Sequence, residues 1–386
     1  MQSTLTISWR DRPIDPIVVE GVECGFALAK RYGYAGVELN GNSFEFEVPR
    51  LKQLLDQTGL HLSSIMTGAV NGNGDTLSSK DGCARTRSKA AIHRAIDVAA
   101  ECGGLVSLGL AVGGRSGAGR EQLVGSLRQL CDYAAEKDVR LCVEPINRYL
   151  GSGIVTVADA LALIAEVDRD GLGITLDVFQ ANIEETSIAD AIHQAGPHLY
   201  HIQLADNTRL VPGTGSIDFD TIRTALRMVG YSGWLSAELM PEPSPDAAAR
   251  DWMTFYQEFT AMPPDLSLQR FEGLVQKLNA DPVFLERAAF FEGTASLSID
   301  GTEWVFRFAD GKIVNVREGL PAAGVDFRFI APNDEWDKLF SGKSHLIKSL
   351  NNYHGTMSVE GDPAKLNGNM RPLFYLFSSL KEIGNA

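Results

Sequence analysis

The chain has 386 residues, 44% of them hydrophobic and 22% charged, and a formal net charge of −14. This composition is typical of a globular protein, and the length predicts two domains. The acidic balance argues against a nucleic-acid-binding protein, because neutralising phosphates requires a basic surface.

The N-terminal residues and the hydropathy pattern bear on where the protein works. No apolar run reaches the ~20 residues of a membrane span. The opening sequence MQSTLTISWRDRP has polar and charged residues where a signal peptide needs an apolar stretch. We therefore expect a cytoplasmic protein without a membrane span.

Strand-like and helix-like segments alternate over the first 260 residues. The strand-like segments are residues 5–9, 34–39, 61–66, 105–110, 140–145, 172–177, 199–205 and 233–239. Between them, apolar residues recur at i, i+3, i+4 and i+7, the pattern of helices with one buried face. Near-continuously apolar strands favour a parallel sheet covered on both sides. These units predict an α/β fold, a (β/α)8 TIM barrel over residues 1–262, with a doubly wound sheet as the alternative.

A different pattern begins after the proline-rich stretch AMPPDLS, which is the expected linker. Residues 268–288 have a helical pattern, and residues 290–316 predict a three-stranded meander with Asp-Gly turns at 300–301 and 310–311. A strand, a short helix, another strand and a final helix follow. We therefore expect a separate, smaller α+β domain over residues 263–386.

Polar side chains stand at the C-terminal ends of four successive strands of the predicted barrel. They are Glu144, Asp177, Gln203 and Glu238. In a TIM barrel these strand ends meet around one active site. Their oxygens suit a hard divalent cation, which would also remove the repulsion between three converging carboxylates. One acidic strand end is more often a helix cap or an ion-pair partner, but four in succession indicate a metal site.

The motifs EPINRY, LDVFQANIEE, ADNTRLVPGTGSIDF and SAEL, with YAGVEL earlier, resemble those of the xylose-isomerase-like sugar phosphate isomerase/epimerase family. Ketose 3-epimerases and hydroxypyruvate isomerase-like enzymes are branches of this family. The resemblance covers nearly all of residues 1–260 and implies a TIM barrel whose divalent metal ion is held by the four strand-end residues. Mn²⁺ is the expected cofactor, with Mg²⁺ or Co²⁺ as alternatives. The resemblance also implies that Glu144 and Glu238 are the catalytic acid and base.

Three positions depart from the ketose 3-epimerase pattern. Gln203 stands where that branch usually has histidine, although other members of the superfamily use glutamine there as an oxygen ligand. Gln180 replaces a usual substrate-binding histidine, and Leu150 replaces a usual glutamate. These changes leave the metal site possible but put the substrate in question.

Four residues are candidates for substrate binding: Gln180, Arg209, Glu38 and His201. Arg209 resembles the family's substrate-binding arginine, and a loop salt bridge to Asp206 is the alternative. Glu38 resembles a recurrent glutamate near the barrel mouth, with either a substrate or a structural role. His201 lies within a strand, where an ordinary core histidine is the alternative.

The predicted function is that of a metal-dependent isomerase or epimerase in carbohydrate metabolism. Its small-molecule substrate is a keto-sugar or sugar acid that loses a proton to form an enediolate stabilised by the metal. A lyase that expels a substituent from the same enediolate, resembling 3-dehydroshikimate dehydratases or cleaving keto-glycosides, is the second hypothesis. A lipid-binding or scaffolding protein with a degenerate barrel is the third. We also expect a homo-oligomer.

The C-terminal segments NDEWDKLFSGK and GTMSVEGDPAKL, with the strand meander and the apolar final helix, resemble a sterol carrier protein (SCP) domain. The resemblance implies an apolar tunnel that accepts a lipid-like ligand. Candidate lining residues are Trp304, Phe306, Phe308, Phe327, Phe329, Leu373, Phe374 and Phe377. An ordinary core made of the same side chains is the alternative.

Overall fold

The computed structural model describes residues 1–8, 22–41, 46–68, 70, 74–114, 119–260, 266–350 and 355–384. The chain forms two compact units, Met1–Ala261 and Met262–Ala386. Among the helices described, none has both the length and the apolar character needed to cross a membrane. Residues 261–265 of the predicted linker lie outside the described residues.

Eight parallel strands of the first unit close into a barrel in sequence order. They are β1 Gln2–Ser8, β2 Gly36–Asn40, β3 His61–Met66, β4 Leu105–Ser107, β5 Leu141–Val143, β6 Leu172–Asp177, β7 Leu199–Gln203 and β8 Trp234–Ala237. The first strand pairs with both β2 and β8, so the sheet has no edge. The predicted TIM barrel is confirmed, and closure excludes the doubly wound sheet.

Helices follow the strands and cover the barrel. They are α1 Val22–Tyr32, α2 Val48–Thr58, α3 Gly82–Cys102, α4 Arg120–Ala135, α5 Val157–Val167, α6 Val178–Glu184, α7 Ile188–Ala195, α8 Phe219–Met228 and α9 Pro245–Thr260. Residues close in sequence determine where these helices begin and end. For example, α5 begins with a capping box in which Thr156 and Asp159 each accept the other's main-chain N–H through their side chains. Leu163 and Val167 then bury its apolar face against the barrel.

The observed strands agree with the predicted segments except at their ends. Residues 61–66 and 172–177 match β3 and β6 in full, whereas β4, β5, β7 and β8 end two or three residues earlier than predicted. Trp9, at the end of the first predicted strand, lies outside the described residues. Because the strands end early, Glu144 and Glu238 are the first residues after β5 and β8.

The interior of the barrel is unusually polar. TIM barrels commonly fill this space with branched apolar side chains. Here buried hydroxyl groups pair with one another instead: Thr4 with Ser63 at 2.8 Å, Ser107 with Thr175 at 3.1 Å and Thr6 with Ser236 at 2.7 Å. These pairs satisfy polar groups that would otherwise be costly to bury. They form a hydrogen-bonded layer of side chains inside the barrel, beneath the C-terminal strand ends.

The second unit is an α+β structure. Its helices are α10 Leu268–Ala280, α11 Pro282–Ala288, α12 Asn333–Phe340, α13 Leu346–Ser349, α14 Pro363–Gly368, α15 Met370–Ser379 and α16 Lys381–Gly384. Its strands are β9 Gly293–Ile299, β10 Thr302–Ala309, β11 Lys312–Glu318, β12 Phe327–Ile330 and β13 Ser358–Gly361. They form one sheet in the order β11-β10-β9-β12-β13, in which only the β9–β12 pair is parallel.

Two tight turns build the meander of this sheet. Asp300-Gly301 joins β9 to β10 and Asp310-Gly311 joins β10 to β11, and all four residues have positive φ. Two-residue hairpin loops need this left-handed conformation, which Asp and Gly tolerate well. The predicted turns therefore have the geometry that their residue types favour.

The apolar side chains singled out in this unit pack against one another. Seven of the eight are buried core residues, and Phe374 is partly buried against that core. The ring centres of Phe329 and Phe377 lie 4.8 Å apart, and those of Phe271 and Trp304 lie 4.5 Å apart. The alternative of an ordinary aromatic core therefore describes these contacts.

Candidate metal centre

Three acidic side chains from three strands converge at the C-terminal end of the barrel. Glu144 follows β5, Asp177 ends β6 and Glu238 follows β8. One carboxylate oxygen from each lies within 4.8 Å of the other two, and all three residues are buried. The structure thus brings three of the four predicted ligands together.

Burial and mutual repulsion make these carboxyl groups costly to ionise together. Burial, with the charges of Glu238 and Asp177, raises the pKa of Glu144 well above its ordinary value. Burial also raises the pKa of Glu238 to about 8, and it raises the pKa of Asp177 despite the nearby charge of Arg209. A divalent cation removes this cost, because its charge favours the ionised form of each carboxylate around it.

Arg209 lies against two of the three carboxylates. Its Nη1 donates to both oxygens of Asp177, at 2.8 and 2.7 Å, and its Nη2 lies 2.8 Å from Oε1 of Glu238. Although burial opposes its charge, these carboxylates raise the pKa of Arg209 above its usual value. Three ionised carboxylates and one guanidinium leave a formal charge of −2, which one divalent cation balances.

The loop that presents Arg209 is built around Asp206. The predicted alternative, a salt bridge between Arg209 and Asp206, is wrong. The buried carboxylate of Asp206 instead accepts main-chain N–H groups, including those of Gly213 and Gly215 at 2.8 and 2.9 Å. Arg209 itself has a positive φ of 59°, so the loop turns sharply at the residue whose side chain reaches the acidic cluster.

Gln203, the fourth predicted ligand, ends β7 directly beside Asp177 in the strand register. Its Nε2 donates to Oε2 of Glu38 at 3.1 Å, whereas its Oε1 is buried and accepts no hydrogen bond from the described residues. Glu238 likewise has a buried Oε2 that lacks a donor there. Buried oxygen acceptors without donors are costly unless something fills them. This donor set of carboxylate and amide oxygens fits a hard divalent cation.

Glu38 and His201 lie inside the barrel beneath these strand ends. Neither has solvent-exposed surface, and Nε2 of His201 lies 2.9 Å from Oε1 of Glu38, although its N–H is not aligned for a hydrogen bond. Burial alone would raise the pKa of Glu38, but the neighbouring His201 and the hydrogen bonds from Ser236 and Gln203 lower it to about 2. Their contacts are with other side chains of the barrel, and a direct substrate role for them stays a prediction.

Gln180 supports the loop that carries Glu144. It lies in α6 and is largely buried, and its Oε1 accepts the main-chain N–H of Asn147 at 3.2 Å as well as a side-chain N–H of the same residue. In the same loop, Arg148 pairs with Glu184 through both carboxylate oxygens. The oxygen of Gln180 is thus engaged by protein, and its predicted contact with substrate stays a prediction.

Gly109 is a site residue that the sequence patterns did not indicate. A Cβ built on it would lie 3.2 Å from Oε2 of Glu144, and its φ of 46° is one that side chains rarely adopt. It sits in the 3₁₀ turn Gly109–Val112 that ends the predicted strand 105–110 early. A glycine inside an apparent strand was the available signal of close backbone approach.

We expect Arg209→Met to lower the free energy of unfolding of the metal-free protein by about 3 kcal/mol, because it leaves buried carboxylates without their positive partner. Added Mn²⁺ should recover part of this loss. Chemical denaturation with and without the metal measures both effects.

Arg31→Met is the matched control for this substitution. Arg31 pairs with Asp246 at 2.7 Å, but their side chains are 64% and 47% exposed, so its loss should cost less than about 1 kcal/mol. If the two variants lose the same stability, the guanidinium of Arg209 does not neutralise the acidic cluster.

Comparisons with known proteins agree with this barrel architecture. Residues 26–258 match a family model described as "Xylose isomerase-like TIM barrel". The chain is 31% identical to 3-dehydro-D-guloside 4-epimerase of Escherichia coli strain K12 over 226 residues, which cover 55% of this chain and 85% of that protein. It is 30% identical to a probable ketose 3-epimerase of Synechocystis over 251 residues, covering 62% of this chain and 86% of that protein.

A solved structure gives the same result in three dimensions. The crystal structure of 3-keto-D-glucoside 4-epimerase from E. coli matches with a TM-score of 0.56 and 27% sequence identity, covering 65% of this chain and 98% of that one. The likeness to sugar epimerases therefore extends over nearly the whole length of those proteins.

Proposed function

Because the chain belongs to the xylose isomerase-like TIM barrel family, we propose that it is a divalent-metal-dependent isomerase or epimerase of a keto-sugar or sugar-acid derivative. The observation that carries the proposal is the buried cluster of Glu144, Asp177 and Glu238. The names of relatives add support, since two are sugar epimerases.

Glu144, Asp177, Gln203 and Glu238 are the proposed metal ligands, and Mn²⁺ is the proposed ion because an all-oxygen set suits it. When bound, the cation would polarise the carbonyl of the sugar and stabilise the charge that develops as the enediolate forms. The neutral amide of Gln203 adds an oxygen donor without adding a fourth negative charge.

The two glutamates are the proposed acid and base. Oε1 of Glu238 is paired with Arg209, whereas Oε2 has no donor among the described residues, so Oε2 is the oxygen open to the cation and the substrate. Glu144 reaches the cluster from β5, on a different strand, so two proton-transferring groups flank one site. One removes the proton from the sugar carbon, and the other returns a proton to the opposite face.

The proposed substrate has a carbonyl next to a carbon that bears both a hydroxyl group and a hydrogen. In a 3-keto-glycoside, the compound class in the names of two similar proteins, C2 and C4 both meet this description. Arg209 and Gln180, which are largely but not wholly buried, are the proposed contacts with substrate oxygens. The rigid fork of an arginine suits hydroxyl or carboxylate groups.

A lyase remains the second candidate on the same residues. In a keto-glycoside, proton loss from C2 places the electron pair beside C1, which carries the aglycone as a leaving group. Expulsion of that group gives an enone, whereas reprotonation of C2 on the opposite face gives the C2 epimer. Both outcomes begin with the same proton abstraction, so product analysis must distinguish them.

Deuterium incorporation tests the proposal. We expect the protein with Mn²⁺ in D₂O to convert D-fructose or methyl 3-keto-β-D-glucoside into an epimer or isomer, with deuterium at the carbon that is reprotonated. NMR and mass spectrometry measure the position and amount of label. Glu238→Gln serves as the control in which we expect no epimer or isomer to form.

The other outcomes of this experiment are equally informative. Release of methanol with a new ultraviolet-absorbing enone would replace the epimerase proposal by the lyase. If a panel of ketoses, keto-glycosides and sugar acids shows neither exchange nor conversion, the enzymatic proposal is wrong.

We also propose that the second unit has an SCP-like fold. The order of its elements and the five-stranded sheet with one parallel pair support this, as does the apolar helix α15, which buries Leu373, Leu376 and Phe377. An apolar ligand would have to displace packed rings such as Phe329 and Phe377. A tunnel between these two rings therefore requires them to move apart.

A further inference from the structure

Gln203 can serve as an oxygen ligand only if its amide has one orientation. An amide presents an acceptor oxygen at one end and two donor N–H groups at the other. If the two ends were exchanged, the N–H groups would face the cation and repel it. A metal site that uses glutamine therefore needs a neighbour that fixes the amide, much as a carboxylate fixes a metal-binding histidine.

Glu38 has the contacts of such a neighbour. Its Oε2 accepts the hydroxyl groups of Thr6 and Ser236, each at 2.8 Å. Nε2 of Gln203 donates to the same carboxylate, at 3.1 Å from Oε2 and 3.3 Å from Oε1. The carboxyl oxygens of Glu38 thus accept hydrogen bonds from three neighbouring side chains, and Gln203 turns its N–H groups towards them.

The rest of the surroundings agree with this orientation. Nε2 of Gln203 also lies 3.6 Å from Sδ of Met66, a weak acceptor, so both N–H groups have acceptors. Oε1 is left as the buried end without a donor in the described part of the chain. Gln203 neighbours Asp177 on β6 and Ser236 on β8, two residues before Glu238, so this amide belongs to the same strand-end layer as the acidic cluster.

We propose that Glu38 is a positioning residue that orients the amide of Gln203 so that Oε1 serves the metal. This inference rests on the proposed function, because it assumes the metal site. It assigns Glu38 a role through Gln203, in place of the predicted contact with substrate. Thr6 on β1 and Ser236 on β8 donate hydrogen bonds to Glu38. The hydrogen-bonded polar side chains of the barrel interior are therefore connected to the proposed metal site.

A double-mutant cycle on Mn²⁺ affinity tests the proposal. Glu38→Leu removes both acceptor oxygens and should raise the Kd for Mn²⁺ about 10- to 100-fold when Gln203 is present. In a Gln203→Leu background, most of this loss should vanish, because no amide remains to be oriented. The electron paramagnetic resonance signal of free Mn²⁺ gives Kd without any assay of turnover, and thermal unfolding reports whether each variant is folded.

Thr4→Val is the matched control. It removes the buried hydrogen bond between Thr4 and Ser63, at 2.8 Å, and leaves the contacts of Glu38 intact, so it should lower thermal stability while leaving the Mn²⁺ affinity nearly unchanged. If Glu38→Leu does not fold, Glu38→Gln, which replaces one acceptor oxygen by an NH₂ group, should show a smaller loss with the same dependence on Gln203.

The outcomes separate this proposal from the metal site itself. A parent protein that does not bind Mn²⁺ refutes the metal site and with it the proposed function. A parent that binds, but in which the Glu38 variants lose equal affinity with Gln203 or Leu at position 203, refutes the positioning role alone. An equal loss of affinity in Thr4→Val would show that Glu38 acts only through the general stability of the barrel, which also refutes the positioning role.

Discussion

Glu144→Gln is expected to lower turnover on the order of 10³-fold or more while the protein remains folded. Glutamine keeps the shape and one oxygen of the side chain, but it cannot accept or return a proton, and general acid–base groups contribute about 10²–10⁴-fold by themselves. The residue also loses a negative charge from the proposed cation site. Steady-state kinetics on the keto-sugar found by deuterium exchange, with circular dichroism for folding, measures the effect.

Glu238→Gln should lower turnover by a similar factor, but it should change the pattern of hydrogen exchange between sugar and solvent in a different way. If each glutamate serves one face of the sugar, the glutamate that remains in each variant can still exchange the proton on its own face with solvent. One variant then exchanges the proton of one epimer, and the other variant exchanges the proton of the second epimer. Glu166→Gln is the control, since Glu166 pairs with Arg120 at the surface and is 47% exposed. A Glu144 or Glu238 variant with turnover within tenfold of the parent would show that the residue is not the acid or base.

Removal of divalent cations is expected to abolish turnover and lower the melting temperature, with both restored by Mn²⁺. The reason is the free-energy cost of burying the ionised carboxylates of Glu144, Asp177 and Glu238 together. The raised pKa values of all three groups reflect this cost. A cation that binds only the folded state stabilises it by about 2.7 kcal/mol at 100 times its Kd. Activity and thermal unfolding before and after dialysis against chelator measure the two effects.

Asp177→Asn is the matched variant for the cation effect. Asp177 caps α6 by accepting the N–H of Phe179 at 2.9 Å, and asparagine caps helices as well as aspartate does. The variant therefore keeps the cap but loses a charge at the site, and the thermal shift with Mn²⁺ should shrink. Full activity of the parent after exhaustive chelation, with no metal left by elemental analysis, would contradict a metal-dependent reaction.

The barrel and the converging ligands could be predicted from sequence because both depend on short-range patterns. Apolar strands alternating with amphipathic helices require a parallel sheet, and a closed barrel brings the strand ends to one side. Glu144, Asp177 and Glu238 could therefore be placed at one centre from their positions alone. The Asp-Gly turns at 300–301 and 310–311 could also be predicted, because the conformation of a two-residue turn depends on its own residues.

The contacts of Arg209 and Glu38 could not be predicted, because they depend on distant parts of the chain. A loop held by Asp206 carries Arg209 to Asp177 and Glu238 rather than to Asp206. Glu38 was expected near the barrel mouth, whereas the structure encloses it completely. Strand spacing gives the face on which a side chain lies, but not which neighbour it contacts.

The most direct test of the metal centre is a calorimetric titration of Mn²⁺ into the metal-free protein and into its Asp177→Asn and Glu238→Gln variants. The proposed centre predicts one saturable site per chain in the parent, and a binding affinity at least about tenfold weaker in both variants, since each loses a charged ligand. Absence of saturable binding by the parent, or binding that both substitutions leave unchanged, would contradict a metal site formed by Glu144, Asp177, Gln203 and Glu238.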